Sequence, residues 1–367
     1  MKKFSSILRN ITSTRKTMSR LVLATALSVS FLSTPVTAED KPTFRLAWSI
    51  YVGWMPWDYG NNAGIIKKWG DKYDVNIDVV QVNDYIESIN QYTAGSFDAT
   101  VMTNMDALTI PAASGVDSTA LIVGDFSNGN DGIVLKSTDK LADIKGQRVN
   151  LVELSVSHYL LARALETVDM TERDVTVVNT ADADLVPAFA TEDVTAVTTW
   201  NPLLAEITKM PSANMVFDSS KIPGEIIDLL VVNSDTLAQN PALGKALTGA
   251  WYEIMATMQK DDEAGEKALM FMAEASGTDL AGYKDQLAST KMFYQPSEAV
   301  AFTESAALKE TMAKVAEFSF EHGLLGDGAP DAGFIGIETP SGVYGDEQNI
   351  TLRFNPEYMQ MAADNAL

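Results

Sequence analysis

The chain contains no cysteine and only two histidines, His158 and His322, among its 367 residues. Without cysteine there are no disulfides and no thiolate ligands, so stability has to come from the size of the core. Two histidines far apart in the chain make a histidine-based metal centre or a catalytic triad unexpected. No cofactor and no metal are expected, and His158, one turn into a helix, reads as a packing or solvent-facing residue. Positive charge is scarce as well, with 27 Lys and Arg against 49 Asp and Glu and a net of −22. A surface of that sign repels nucleic acid and anionic lipid headgroups, which removes both as partners. No stretch of about 18 apolar residues occurs, so no membrane-spanning helix is expected.

The cations that do exist are unevenly placed. Lys2, Lys3, Arg9, Arg15, Lys16 and Arg20 crowd the start, and no acid precedes Glu39. An apolar run, Leu21–Leu32, follows, and then small residues ending Val36-Thr37-Ala38. This order reads as a secretory signal peptide over 1–38, cleaved after Ala38, which places the mature protein in the periplasm. Cleavage leaves 21 cations against 49 acids, a net of −28.

The remainder alternates short β-type runs with helical stretches, the pattern of α/β lobes with largely parallel sheets. Strands are predicted at Phe44–Trp48, Val75–Val82, Ala99–Met102, Thr119–Gly124 and Gly132–Leu135. A helix is predicted over Asn61–Trp69, and Asp84 with Glu87 forms a capping-box start to another. A second unit then runs through strands Gly146–Val152, Val175–Asn179, Ala196–Thr199 and Ile227–Val232. From Pro241 the pattern is mostly helical, with 334–354 as an irregular end. The expected division is 39–135 and 233–367 for one lobe and 136–232 for the other, with chain crossings near Leu135 and Val232. Open α/β sheets bind ligands beyond the carboxyl ends of their strands, which directs attention to the loops there.

Several short pieces, in order, carry a family likeness: Ala94-Gly95-Ser96-Phe97-Asp98-Ala99, Ala164-Leu165-Glu166, 174–179, Ala188-Phe189-Ala190, 193–196 and Thr199-Trp200-Asn201-Pro202. On these the chain resembles the nitrate/sulfonate/taurine-type periplasmic solute-binding proteins of ABC importers. The Trp-rich first loop, Pro223–Asp228 and Phe354–Met359 are most similar to the branch associated with urea carboxylases, described as urea or guanidine importers. The resemblance implies an α/β fold of two lobes, type II-like, with a cleft between lobes joined by two hinge crossings. It also implies a monomer that presents a small-molecule ligand to permease and ATPase subunits and does no chemistry of its own. A pyrimidine-synthase branch shares the architecture, but its Cys-rich segment has no counterpart here. A periplasmic ligand sensor would present the same features.

The cleft loops are aromatic and acidic. The segment after the first strand holds Trp48, Tyr51, Trp54 and Trp57, three of the six tryptophans of the chain among them. Between Tyr73 and Leu135 there is no Lys or Arg, yet nine Asp and Glu occur. The intervals 46–66, 174–208 and 222–244 lack cations too. A nitrate or sulfonate site needs Arg, Lys or His, or bare helix N-termini. Carboxylates with ring faces suit a small planar cation, so guanidinium is the expected ligand and urea the neutral second. Candidate contacts are Trp48, Tyr51, Trp54, Trp57, Asp106, Glu153, Asp228 and, on the segment that lines the cleft in the family it resembles, Trp200 and Asn201. Each has a plainer reading: aromatic plug, helix cap or first-turn acid.

Overall fold

The computed structural model describes residues 41–367. The expected signal peptide lies outside the described residues. No described helix is long and apolar enough to cross a membrane.

Fourteen strands form two sheets among the described residues. In chain order they are β1 (Thr43–Trp48), β2 (Asn76–Gln81), β3 (Ala99–Thr103), β4 (Ser118–Ser127), β5 (Asp131–Lys136), β6 (Arg148–Leu151) and β7 (Thr176–Asn179). Then come β8 (Ala196–Trp200), β9 (Ala213–Asp218), β10 (Ile227–Asn233), β11 (Thr290–Met292), β12 (Gly336–Thr339), β13 (Gly342–Tyr344) and β14 (Ile350–Phe354). The first sheet runs β13-β12-β14-β4-β10-β3-β1-β2 with β11 beside β4, and the second runs β7-β6-β8-β5-β9. The central strands of the first sheet are largely apolar and buried on both faces, as helix-covered sheets require, with Asp125 and Asp228 among the polar residues they hold.

Four expectations are corrected. The sheets are mixed, because β10 runs antiparallel between β3 and β4, and β5 antiparallel between β8 and β9. The crossings fall earlier than expected: β5 already belongs to the second sheet and β10 to the first, so the chain changes lobe at 128–130 and again at 219–226. A buried apolar run pairs equally well in either sheet, and only the pairing itself says which. The end of the chain is not irregular: β14 pairs in parallel with β4 and carries β12 and β13 with it. The predicted helix at 61–69 is two helices, Met55–Asn62 and Ile65–Tyr73, separated where Gly64 takes φ +74°.

The second crossing is tied to both lobes by Glu225. Its buried carboxylate accepts from Tyr159 Oη (2.6 Å) and Arg163 Nε (2.9 Å) in the second lobe and from Lys314 Nζ (2.9 Å) in the first. Burial pushes this carboxyl up, but the three donors outweigh burial and hold it below its usual value. Glu225→Ala is expected to cost about 2 kcal/mol in urea unfolding, since it takes the buried partner from Tyr159 and from a half-buried guanidinium that keeps only the exposed Glu166, while Lys314 stays solvated.

Candidate functional site

The strand register assembles the site. Asp228, at the start of β10, lies opposite Thr103 of β3 on one side and Asp125 of β4 on the other. A β-bulge follows at Asp228/Leu229, and bulges of this kind re-aim side chains beside sites. In the second sheet, Asp131 of β5 pairs with Trp200 of β8. Thr103, Asp125 and Trp200 stand at or near the carboxyl ends of their strands, where open α/β sheets hold ligands. A small cavity between the sheets is lined by Tyr51, Trp54, Tyr85, Asp131, Trp200 and Asp228, with Thr103, Val156 and Ile226 filling the wall. The centre of a water-sized sphere has about 20 Å³ of room there, enough for a water or two or a solute of a few heavy atoms.

Two buried aspartates, Asp131 and Asp228, line this space, and two more stand one hydrogen bond behind its wall, Asp106 behind Tyr85 and Asp125 behind Tyr51; all four are buried. No Lys, Arg or His forms an ion pair with any of them among the described residues. Asp106 accepts from Tyr85 Oη (2.5 Å) and Thr103 Oγ1 (2.8 Å), and Asp125 accepts from Tyr51 Oη (2.9 Å). Asp106 Oδ1 and Asp125 Oδ2 are buried without a hydrogen-bond partner. Burial penalises the charged form. It lifts the Asp106 carboxyl to about 6 against the pull of Tyr85 and Thr103, and Asp131 to about 7 with the Asp106 charge adding to it. Asp125 and Asp228 are a coupled pair, pushed upward by burial; each other's charge and that of Asp131 then raise Asp228 further. Asp131 hangs from the second lobe and Asp228 from the first, so like charges face each other across the gap. Gly53 lets the loop close over them, because a Cβ there would meet Asp125 Oδ2 at 2.6 Å and the Tyr51 ring at 2.5 Å.

The aromatic wall is continuous. Tyr51 meets Trp54 at 4.8 Å between ring centroids, Trp54 meets Tyr85 at 5.5 Å, and Tyr85 meets Trp200 at 6.0 Å. Trp200 Nε1 also reaches the Ile50 carbonyl at 3.4 Å, from the second lobe to the first.

The structure therefore brings Tyr51, Trp54, Trp200 and Asp228 to the cavity and places Asp106 one hydrogen bond behind it. It does not bring the others. Trp48 ends β1 inside the core, and Trp57 stacks on Trp251 at 5.1 Å beneath the site. Glu153 is exposed, its backbone N–H bound by Asn179, because the turn before the helix Val156–Glu166 points outward. Asn201 spends its amide on structure: it accepts from Ala205 N and donates to Ser289 Oγ. Sequence reasoning missed Tyr85, Asp125 and Asp131. The two aspartates sat among the nine acids of the cation-free interval, and nothing local set them apart from surface acids.

Tyr85 is the keystone of this wall, donating to Asp106 and accepting from Thr103 N (3.0 Å). Tyr85→Phe is expected to lose about 1–3 kcal/mol in thermal or urea unfolding, because two buried groups lose a partner without any loss of ring packing.

The two lobes, the two crossings and the cavity between them define the periplasmic-binding-protein fold. Similar solved structures include the alkanesulfonate-binding protein SsuA of Xanthomonas axonopodis pv. citri, bound to MOPS (17% identical, TM-score 0.64, 79% of this chain and 96% of that one). The periplasmic aliphatic sulphonate binding protein SsuA of Escherichia coli is similar too (16%, TM-score 0.65, 84% and 97%), as is the periplasmic nitrate-binding protein NrtA of Synechocystis PCC 6803 (14%, TM-score 0.56, 88% and 97%). The chain belongs to the NMT1/THI5-like family, whose model matches residues 63–265. A protein of Brucella abortus (strain 2308), described only as a candidate binding protein, is 24% identical over 235 residues, 62% of this chain and 70% of its own length.

Proposed function

We propose that the chain is the periplasmic solute-binding component of an ABC importer, and that its solute is a small planar nitrogenous cation, guanidinium before urea. The observation that carries this reading is two buried aspartates, Asp131 and Asp228, lining a cavity walled by aromatic rings, with Asp106 and Asp125 buried just behind that wall and no counter-cation paired with any of the four among the described residues. A cation seated there would neutralise Asp131 and Asp228 from opposite lobes at once. Ligand would then stabilise the closed form by relieving repulsion that the ligand-free closed form must bear. Guanidinium is flat, presents N–H groups around its edge to carboxylates and offers both faces to rings, where cation–π contact is worth roughly 0.5–2 kcal/mol. The limited room favours it over sulfonates with alkyl tails.

The fold is shared with binding proteins for sulfonates and nitrate, which supports the importer role and raises the anion reading as the second. Charge argues against that reading, since an anion placed between the Asp131 and Asp228 carboxyls gains no pairing partner. A calorimetric screen of guanidinium, urea, taurine and nitrate separates them. Saturable binding of guanidinium is expected; binding of taurine or nitrate alone would defeat the cation site.

A further inference from the structure

The only two histidines of the chain meet at one carboxylate, and none of the three residues lines the cavity described above. His158 belongs to the second-lobe helix Val156–Glu166, Glu172 follows that helix, and His322 caps the first-lobe helix Ala306–Glu321. His158 Nε2 contacts Glu172 Oε1, and His322 Nε2 lies 2.6 Å from Glu172 Oε2. One ligand atom from each residue falls within 4.8 Å of the others.

From this we infer a divalent transition-metal site, of the zinc type, that joins the two lobes through His158, Glu172 and His322. Three observations support a metal rather than a plain hydrogen-bonded clamp. His158 is buried, and its Nε2 makes no aligned hydrogen bond although it sits against the carboxylate. His322 Nδ1 lies 2.8 Å from the Phe318 carbonyl and donates to it, which leaves Nε2, 2.6 Å from Glu172 Oε2, as the nitrogen that would give up its proton to a metal. This is the outer hydrogen bond that orients a ligating imidazole. A cavity of about 430 Å³, lined by Glu172 and His322, opens beside the trio and gives an ion a path and a place for a water as fourth ligand. Two imidazoles and one carboxylate with an open position suit zinc and its neighbours and not magnesium or calcium, which prefer oxygen.

One contact must change. His158 Nδ1 accepts the Leu154 N–H at 3.1 Å, and ligation through Nε2 puts the ring proton on Nδ1, so this bond has to open. Leu154 is at φ +63° in a tight turn, a conformation disfavoured for leucine, so the turn has reason to relax.

The test uses tag-free protein stripped with a chelator. One equivalent of Zn²⁺ is expected to bind by calorimetry and to raise Tm, and Co²⁺ should give the intense visible bands of a tetrahedral centre. His158→Ala and His322→Ala should each weaken Zn²⁺ by roughly 100-fold or more, with circular dichroism unchanged as the check on folding. Zn²⁺ binding of equal strength in the double variant would overturn the site. So would the absence of stoichiometric binding in the parent, which returns the trio to a hydrogen-bonded clamp. None of these readouts depends on the solute of the main cavity.

Discussion

Asp131→Asn and Asp228→Asn should each weaken guanidinium binding by roughly 100-fold while changing urea binding only a few-fold. A hydrogen bond to a charged partner contributes about 1.5–3 kcal/mol, and an amide of the same shape retains packing while losing the charge. The same variants should melt no lower than the parent in the absence of ligand. Each removes a buried acid without an ion-pair partner, and removing such a charge relieves its desolvation cost. Calorimetry with the two ligands and thermal unfolding without them check both halves. Equal losses for guanidinium and urea would count against charge pairing, and a large fall in Tm would make these aspartates structural supports of the closed cleft.

The second large effect is on pH. The Asp131 carboxyl stands at about 7, raised by burial, and the Asp125–Asp228 pair is raised in the same direction. A cation binds best to the ionised form, so guanidinium affinity should climb as pH rises, by roughly 30-fold between pH 5.5 and 8 for one carboxyl titrating near 7. Urea, being neutral, should show a much flatter profile. Without ligand the sign reverses. These folded-state carboxyls hold protons that the unfolded chain gives up near pH 4, so their contribution to stability falls as pH rises from about 4 through 7. Glu225, held below its usual value, contributes stability that is fully present above the unfolded carboxylate range, so it adds no slope through the upper part of this window. Calorimetry in buffers of different protonation enthalpy should detect protons released on guanidinium binding near neutrality. Uptake of protons, or none, would contradict the scheme.

Much of the architecture was legible along the chain. The strands from Phe44 to Leu135 and on to Val232 were marked by apolar runs between turn residues, and Asp84 caps its helix by accepting from Glu87 N at 2.8 Å as the capping pattern required. The Trp-rich segment and the cation-free intervals pointed to Tyr51, Trp54 and Asp228, and the family resemblance pointed to Trp200. Glu153 and Asn201 show the limit of that reasoning. A residue just after a strand can face either side of the turn, and side-chain direction is set by a backbone angle that composition does not report. Asp125 and Asp131 show the converse, since burial of an acid depends on what strand lies next to it.

By itself, the sequence determined the sign of the field in the gap, the absence of cysteine chemistry and the two-lobe α/β plan, because these follow from composition and periodicity. Only the tertiary structure decided which acids share the cavity and that His158 and His322 meet. Such convergence depends on pairing between strands and helices that are distant in the chain, most directly the placement of β10 between β3 and β4, which sets Asp228 beside Asp125. Nothing in the local run of residues encodes that neighbour.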